Sequence, residues 1–214
     1  MELLKRFIEI ELKKDSSLFI NEFILFEKLL LEWNEKINLI SRKSVSAEDH
    51  IINSIFFLTK YNFGNVKSVA DIGSGGGFPG IPLKILFPEI RITLIDSIRK
   101  KVNVQQDITE KMNLKKIEAI CGRAEELSVQ TKYKSKYDIV ISKAVSSLDN
   151  LYLWGNKFLN SNGEMICIKG GNIEEEISSL LKLKKNLSVE VISFEDLLPY
   201  SVEDKKIVVI KNKF

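Results

Sequence analysis

The sequence predicts an α/β protein in which a mostly parallel, seven-stranded sheet follows an N-terminal helical extension. Two patterns give this prediction. Apolar residues recur at helical spacing through the first sixty residues, as at Phe19, Phe23 and Leu30. From Ser68 onward, short β-branched runs alternate with helical or polar stretches. Because parallel neighbours need a crossover of about a dozen residues, this alternation favours parallel pairing.

The change of pattern divides the chain into two parts. We expect residues 1–62 to form the helical extension, with three helices, and residues 63–214 to form one compact core. The segment FEDLLPYSVED between the last two strands is too short for a full helix, which predicts an antiparallel edge. The predicted strands are residues 68–72, 91–96, 117–121, 137–142, 164–169, 189–194 and 206–211.

Composition limits the class of protein. A chain of 214 residues with 44% hydrophobic content can bury one sizeable core. It contains no apolar run of the ~18 to 20 residues that span a bilayer, and its first residues are charged, so we expect a cytoplasmic protein without a membrane partner. Cys121 and Cys167 lack metal-ligand spacing, which predicts buried free thiols and no metal. The net charge is only +3, but residues 97–143 hold eleven Lys or Arg against six Asp or Glu, a pattern compatible with a nucleic-acid face.

The glycine-rich stretch DIGSGGGFPGIPLKI, residues 71–85, follows the first predicted strand. Ligands of α/β sheets bind at such carboxyl ends of strands. A phosphate-binding P-loop has a lysine directly after its last glycine, whereas Gly80 precedes Ile81, so that motif is excluded. The dinucleotide spacing is formally present at Gly75, Gly77 and Gly80, but its third glycine follows Pro79, a residue suited to the first turn of a helix.

A better description of this loop is D-x-G-x-G-x-G, formed by Asp71, Gly73, Gly75 and Gly77. The carboxylate would repel a pyrophosphate but can accept a hydrogen bond from an ammonium group or from water beside one. The glycines allow positive φ and close approach to a ligand. Asp96 ends the second strand 19 residues after Gly77, where an acid meets ribose hydroxyls in such folds. Together these features favour S-adenosylmethionine over a nicotinamide dinucleotide.

A family resemblance rests on seven segments in order: LLEWNEKINLIS, HIINSI, DIGSGGGFPGIPLKI, LIDS followed by KK, GRAEEL, DIVISKAV and CIKGG. The sequence from Leu29 to Ile210 resembles the bacterial small-subunit ribosomal RNA methyltransferase G family, also called glucose-inhibited division protein B. The resemblance implies a Rossmann-like class I S-adenosylmethionine-dependent methyltransferase fold. It further implies methyl transfer to N7 of a guanine in 16S rRNA, with the rRNA or the small ribosomal subunit as partner and a monomeric protein.

The resemblance also implies site residues. The basic residue Lys143 stands where the family usually has arginine, Asn53 stands where aspartate is common, and Lys205 replaces another usual arginine. We expect Lys143 and Arg123 to be catalytic, and Arg123, Lys143, Lys169 and Lys205 to contact RNA. The residues expected around the cofactor are Asp71, Gly73, Gly75, Gly77, Phe78, Asp96, Ala124, Glu125 and Lys143.

Guanine N7 carries no proton, so this reaction needs no general base and relies on positioning. For His50, on an apolar helix face, a structural role is favoured over a place on the cofactor rim. Trp33 is expected to pack in the core rather than to stack on a base. Two alternatives stay open: a methyltransferase acting on another RNA or a small molecule, and a module that binds the cofactor or RNA without turnover.

Overall fold

The computed structural model describes residues 1–40, 46–200, 202 and 204–213. It contains one seven-stranded sheet in the order β3-β2-β1-β4-β5-β7-β6. Strands β1 to β5 are parallel, and β7 runs antiparallel to both β5 and β6. The strands are β1 Ser68–Ile72, β2 Arg91–Asp96, β3 Ile117–Cys121, β4 Tyr137–Lys143, β5 Leu159–Gly170, β6 Leu187–Ser193 and β7 Lys205–Asn212.

The predicted fold class and antiparallel edge are therefore confirmed. Strand β5 begins five residues earlier than the sequence predicts, because Leu159 pairs with Tyr137 before a register shift. Gly163 lies in this irregular stretch, where an added Cβ would come 2.8 Å from the carbonyl oxygen of Tyr137. A larger residue would clash there, so the glycine permits the close approach of the two strands.

Helices cover both faces of the sheet. One face carries the helices up to α5, and the other carries α6 to α8. Successive side chains of a central strand point to opposite faces of the sheet: Val69 of β1 packs with the helices up to α5, and Ala70 packs with α6 to α8. The helices are α1 Glu2–Arg6, α2 Ile20–Asn34, α3 Glu48–Ile55, α4 Gly80–Leu86, α5 Arg99–Lys111, α6 Ala124–Leu127, α7 Leu148–Gly155 and α8 Glu174–Leu183.

The N-terminal helices pack directly against the sheet face that carries α4 and α5. Trp33, near the end of α2, is half-buried against this core, as predicted, and its Nε1 donates to Asp107 Oδ2 of α5 at 2.7 Å. The buried Asn34 ends the same helix, and its Oδ1 accepts from the backbone N–H groups of Leu39 and Ile40. These bonds fix the chain as it leaves α2 towards the carboxyl edge of the sheet.

The two thiols differ in burial. Cys167 is fully buried, as predicted, whereas Cys121 is only half-buried at the end of β3. Within the described ranges, no helix is long and apolar enough to cross a membrane.

Candidate functional site

Two adjoining recesses lie at the carboxyl edge of β1, β2 and β4. The larger has a volume of about 650 Å³ and the smaller about 140 Å³. Gly73, Asp96, Ser97 and Val145 line both of them, so the two form a continuous groove. This is the edge at which the sequence predicts a ligand.

The glycine loop has the backbone that its sequence predicts. Gly73, Gly75 and Gly77 have φ angles of +70°, +55° and +92°. A Cβ on Gly73 would lie 2.6 Å from Val145 Cγ2, and one on Gly77 would lie 2.4 Å from Ile81 Cδ1. A Cβ on Gly75 would lie 3.8 Å from its nearest neighbour. Glycine is therefore favoured here by the left-handed backbone and not by lack of space, and the missing side chain leaves room on the wall of the larger recess.

Two side chains hold the backbone of Gly75 from opposite sides. Its N–H donates to Asp96 Oδ2 at 3.0 Å, and its carbonyl oxygen accepts from Gln105 Nε2 at 2.7 Å. The same Nε2 donates to Ser74 Oγ at 2.9 Å, and Asp96 Oδ1 accepts from the N–H of Ile98. Gln105 is fully buried and Asp96 nearly so. The bond between Gln105 and Ser74 is buried and the other three are partly buried, and together they define the position of the loop.

Asp71 lies beneath the loop and is fully buried. Its Oδ2 accepts from the N–H of Gly80 at 2.8 Å, while Oδ1 has no hydrogen-bond partner among the described residues. Burial raises the pKa of this carboxyl well above its usual range, against the opposing effects of the Gly80 hydrogen bond and the charge of Lys143. Asp71 is not one of the described residues that line the two recesses.

Lys143, Phe78 and His50 meet on one wall of the larger recess. Lys143 Nζ lies 5.7 Å from the centroid of the Phe78 ring, and the His50 ring lies 6.3 Å from it, centroid to centroid. Burial lowers the pKa of Lys143; Asp71 opposes this shift and the charge of Lys205 adds to it. Burial, and then the charge of Lys143, lower the pKa of His50. His50 thus lies on the wall of the recess, the alternative that the sequence did not favour.

The smaller recess lies beside β3. Gly122, Arg123, Ala124 and Glu125 line it together with Trp154. Arg123 precedes α6 in extended conformation, which lets Ala124 turn inward while Arg123 and Glu125 stay exposed. The sequence prediction included Arg123, Ala124 and Glu125 but neither Gly122 nor Trp154.

Lys169 makes contacts that the sequence did not indicate. Its Nζ lies 2.7 Å from Glu176 Oε2 and donates to the carbonyl oxygen of Ser146 at 2.9 Å. The same Glu176 oxygen accepts from the N–H of Leu148, and the Lys169 side chain is only 11% exposed. The pair therefore braces the loop between β4 and α7, in which Val145 packs over Gly73.

Lys205 begins β7 and pairs in register with Gly170 at the same edge of the sheet. Neither Lys169 nor Lys205 is among the described residues lining the two recesses. No group of three or more His, Cys, Asp or Glu side chains in the described ranges is arranged to hold a metal ion.

Sequence reasoning missed Gln105 and the residues after β2 that line the larger recess, such as Ile98 and Lys101. One signal for Gln105 was available: it lies between Val102 and Ile108 at intervals of three, on the buried stripe of α5. A polar residue on such a stripe needs hydrogen-bond partners inside the protein.

The role of Gln105 can be measured as stability. Gln105→Met should lower the free energy of unfolding by ~1 to 3 kcal/mol, because the Gly75 carbonyl and the Ser74 hydroxyl both lose their donor. Gln106→Met is the matched control, since the neighbouring amide makes one exposed hydrogen bond to Ala119 and its loss should cost below about 0.5 kcal/mol. Urea denaturation compares the three proteins, and equal losses in both variants would exclude the role.

The electrostatics of the recess can be tested through His50, the single histidine of the chain. We expect its NMR titration below the ordinary pKa of about 6.5, so the folded protein loses stability as the pH falls through that value. Lys143→Met should raise the pKa of His50 because it removes a nearby positive charge. Lys101→Met, on the same recess, should leave it in place. An identical titration in the parent and the Lys143 variant would contradict this account.

Comparison with known proteins agrees with this geometry. The chain matches the family GidB, rRNA small subunit methyltransferase G, over residues 19–202. It is 38% identical over 188 residues to the ribosomal RNA small subunit methyltransferase G of Clostridium botulinum strain 657, covering 86% of this chain and 77% of that protein. It is 35% identical over 195 residues to the one from Thermoanaerobacter sp. strain X514, covering 90% and 81%.

Solved structures share the fold at low sequence identity. A caffeoyl-CoA O-methyltransferase homologue from Staphylococcus aureus superimposes with a TM-score of 0.59 at 14% identity, over 99% of this chain and all of that one. The PH0226 protein from Pyrococcus horikoshii OT3 gives a TM-score of 0.60 at 12% identity, over 86% and 99%. From the match over most of its length, together with these curated relatives, the chain belongs to the rRNA small subunit methyltransferase G family.

Proposed function

We propose that this protein transfers a methyl group from S-adenosylmethionine to N7 of a guanine in 16S rRNA. Family membership makes it an rRNA methyltransferase. The observation that supports S-adenosylmethionine as the donor and a base as the acceptor is that the two recesses share a border at Gly73 and Asp96. One edge of the sheet thereby offers room for an adenosine with an amino-acid tail and, beside it, for a base.

The residues present fit this cofactor. Asp96 lines both recesses, and each of its carboxylate oxygens accepts one backbone hydrogen bond, which leaves lone pairs for ribose hydroxyls. We assign the adenine to the smaller recess, against Ala124 and Glu125, and the amino-acid tail to the larger one, along Gly73 and Gly75. S-adenosylmethionine supplies an electrophilic methyl group bound to a sulfonium.

Asp71 enters this proposal through the loop. Its hydrogen bond to Gly80 joins the end of β1 to the start of α4, and Gly77 and Phe78 lie in the span between them. Asp71 and Lys143 also affect each other's pKa from neighbouring strands. Because Asp71 lines neither recess, we propose that its carboxyl acts on the cofactor site through the loop that it holds.

The protein's main task in the reaction is positioning. N7 has an in-plane lone pair and no proton to lose, so no side chain has to act as a base. Lys143 lines the larger recess and can donate to guanine O6, the acceptor next to N7 on the same base edge. We therefore propose Lys143 as the residue that orients the base, with Arg123 as a second cation at the border of the cofactor site.

The roles of the other cations around the groove follow from the contacts that each one makes. Arg123 is exposed and Lys205 half-exposed, and neither forms an ion pair with another described residue, so we propose that both contact RNA phosphates. The Lys169 ammonium already binds Glu176 and Ser146. We propose that Lys169 acts on the RNA only through the loop that it braces.

Methylation at N7 can be detected chemically, because the positive charge it places on the base sensitises the chain to borohydride reduction and aniline cleavage. The parent protein should create one such site in 16S rRNA, and Lys143→Ala should lose most of the signal since the base is no longer oriented. Lys143→Arg should retain it, because the guanidinium restores the donors at this position. Lys182→Ala, on exposed α8, is the control expected to match the parent.

The pH dependence separates this chemistry from one that needs a base. The rate should stay nearly flat around neutral pH and fall on the alkaline side, since the lowered pKa of Lys143 makes its ammonium lose a proton earlier than an ordinary lysine. In Lys143→Arg the alkaline fall should move to higher pH, because arginine stays charged. A rate that rises tenfold per pH unit would instead indicate an acceptor that must be deprotonated. Absence of any cleavable site in the rRNA would refute the proposed function.

The cofactor assignment depends on Asp96. Asp96→Ala should weaken S-adenosylmethionine binding by ~1.5 to 3 kcal/mol, roughly ten- to a hundredfold, through lost ribose hydrogen bonds and a less constrained Gly75. Asp196→Ala removes an exposed carboxylate that pairs with Lys60, and it should bind like the parent. Isothermal titration calorimetry measures both, and unchanged affinity in the Asp96 variant would remove it from the site.

A further inference from the structure

Exposed positive charge gathers at the edge of the sheet opposite the groove. Because β1 to β5 are parallel, their amino ends meet at one edge, and the segments that precede them carry exposed basic residues. We call this set the amino-edge surface: it consists of Lys67, Arg91, Lys115, Lys116, Lys132, Lys134, Lys136 and Lys157.

The segments of this surface are neighbours in space as well as in topology. The N–H of Ser135 donates to the carbonyl oxygen of Lys157, and that of Lys136 to Phe158. Lys67 directly precedes Ser68, which pairs in register with Arg91. A recess of about 370 Å³ lies at the amino ends of β2, β3 and β4, and it is lined by Arg91, Lys132 and Lys136, by Glu118, and by the buried Tyr133 and Tyr137.

Acidic residues neutralise this surface only in part. Glu89 pairs with Lys116 at 2.6 Å, and Glu118 pairs with Lys132 at 3.2 Å. The Asp138 carboxylate accepts from two backbone N–H groups, a Ser68 hydroxyl and an Asn160 amide, which lower its pKa against the effect of burial. In the described part of the chain, no ion pair engages Lys67, Arg91, Lys134, Lys136 or Lys157.

Other exposed lysines lie near acidic side chains. On α8, Lys182 follows three glutamates in the first turn of the same helix. The amino-edge surface is thus a local excess of one sign, the arrangement that binds phosphate without reading sequence. Since β4 has seven residues, its two ends lie about 20 Å apart, which places this surface one strand length from the groove.

We propose that the amino-edge surface binds the phosphate backbone of a second segment of the same rRNA whose guanine enters the groove. The inference rests on the proposed function and extends it. The amino-edge surface lies on the opposite edge of the sheet from the groove, so a short hairpin seated at the groove leaves it uncovered, whereas a large folded RNA has segments on both sides. Arg91 and Lys136, which line the recess at this edge, bind the phosphates of the second segment, and the enzyme therefore prefers long, folded rRNA to a short hairpin.

The test compares two triple variants with the same loss of charge. Lys67→Ala/Arg91→Ala/Lys136→Ala removes cations of the amino-edge surface, and Lys182→Ala/Lys184→Ala/Lys185→Ala removes exposed cations at the end of α8. Binding of a full-length 16S rRNA transcript is measured over a range of salt. The log-log slope should fall by about two units in the first triple, because each lost phosphate contact contributes roughly 0.7 to 0.9. It should change by less than about half a unit in the second.

Methylation kinetics give a second readout. The KM for the full-length transcript should rise about tenfold or more in the first triple, whereas the KM for a short hairpin that contains the target guanine should not change. Affinity for S-adenosylmethionine should match the parent in both triples, which verifies that the groove is intact.

Three results would overturn the proposal: equal salt slopes in the two triples, equal effects on hairpin and full-length RNA, or a loss confined to binding of phosphatidylglycerol vesicles, which would assign the surface to lipid. A parent protein that binds the transcript with the predicted difference between the triples but methylates no guanine would refute the proposed function and still support this surface.

Discussion

The site depends on the position of one residue, Gly75. Its N–H and its carbonyl oxygen are each bound by a side chain from a different element: Asp96 at the end of β2 and Gln105 in α5. The left-handed backbone of Gly75 makes this orientation possible. Both bonds are partly buried, so breaking either would leave a polar group with reduced access to water, and the two bonds together restrain the loop. The border between the two recesses follows from the position of this loop.

A second constraint is the placement of charge near the loop. Asp71 and Lys143 lie on adjacent central strands; Asp71 is fully buried, and Lys143 is half-buried on the wall of the larger recess. Burial alone would disfavour both charges, and each partly compensates the other. The site thereby holds a half-buried cation over the Phe78 ring, where a hydrogen bond to a base edge is stronger than at an open surface.

The sequence predicted the sheet well because parallel strands leave a simple signal. Residues 68–72 and 91–96 are mostly apolar; the first run is followed by Gly73 and the second ends at Asp96. The predicted bounds of these two strands therefore equal the observed ones. The start of β5 was missed because Asn160, Asn162 and Gly163 resemble a turn; in the structure they form the irregular stretch between the pairs that Leu159 and Glu164 make with β4. The division of the chain at residue 62 remains a prediction, since helices from both sides of it share one core.

The position of a candidate site residue could be predicted where a motif carries it, and its contacts could not be predicted where a distant partner defines them. The glycine loop and Asp96 have fixed spacing, so they could be placed along the chain before the fold was known. Lys169 looked like an RNA contact because nothing local reveals that Glu176, on the next helix, takes up its ammonium. His50 looked structural because its apolar neighbours indicate burial, while its approach to Lys143 and Phe78 depends on the packing of α3 against the loop.

The bond between Trp33 and Asp107 has a consequence for how the protein opens. Asp107 and Gln105 belong to the same helix, two residues apart, so the N-terminal extension and the glycine loop are attached to one rigid element. Transient loss of the extension would release α5 and, with it, the donor that fixes Gly75. Hydrogen exchange at the loop amides would then report the free energy of opening the first helices, and a ligand bound at the groove would slow proteolysis at a distant N-terminus.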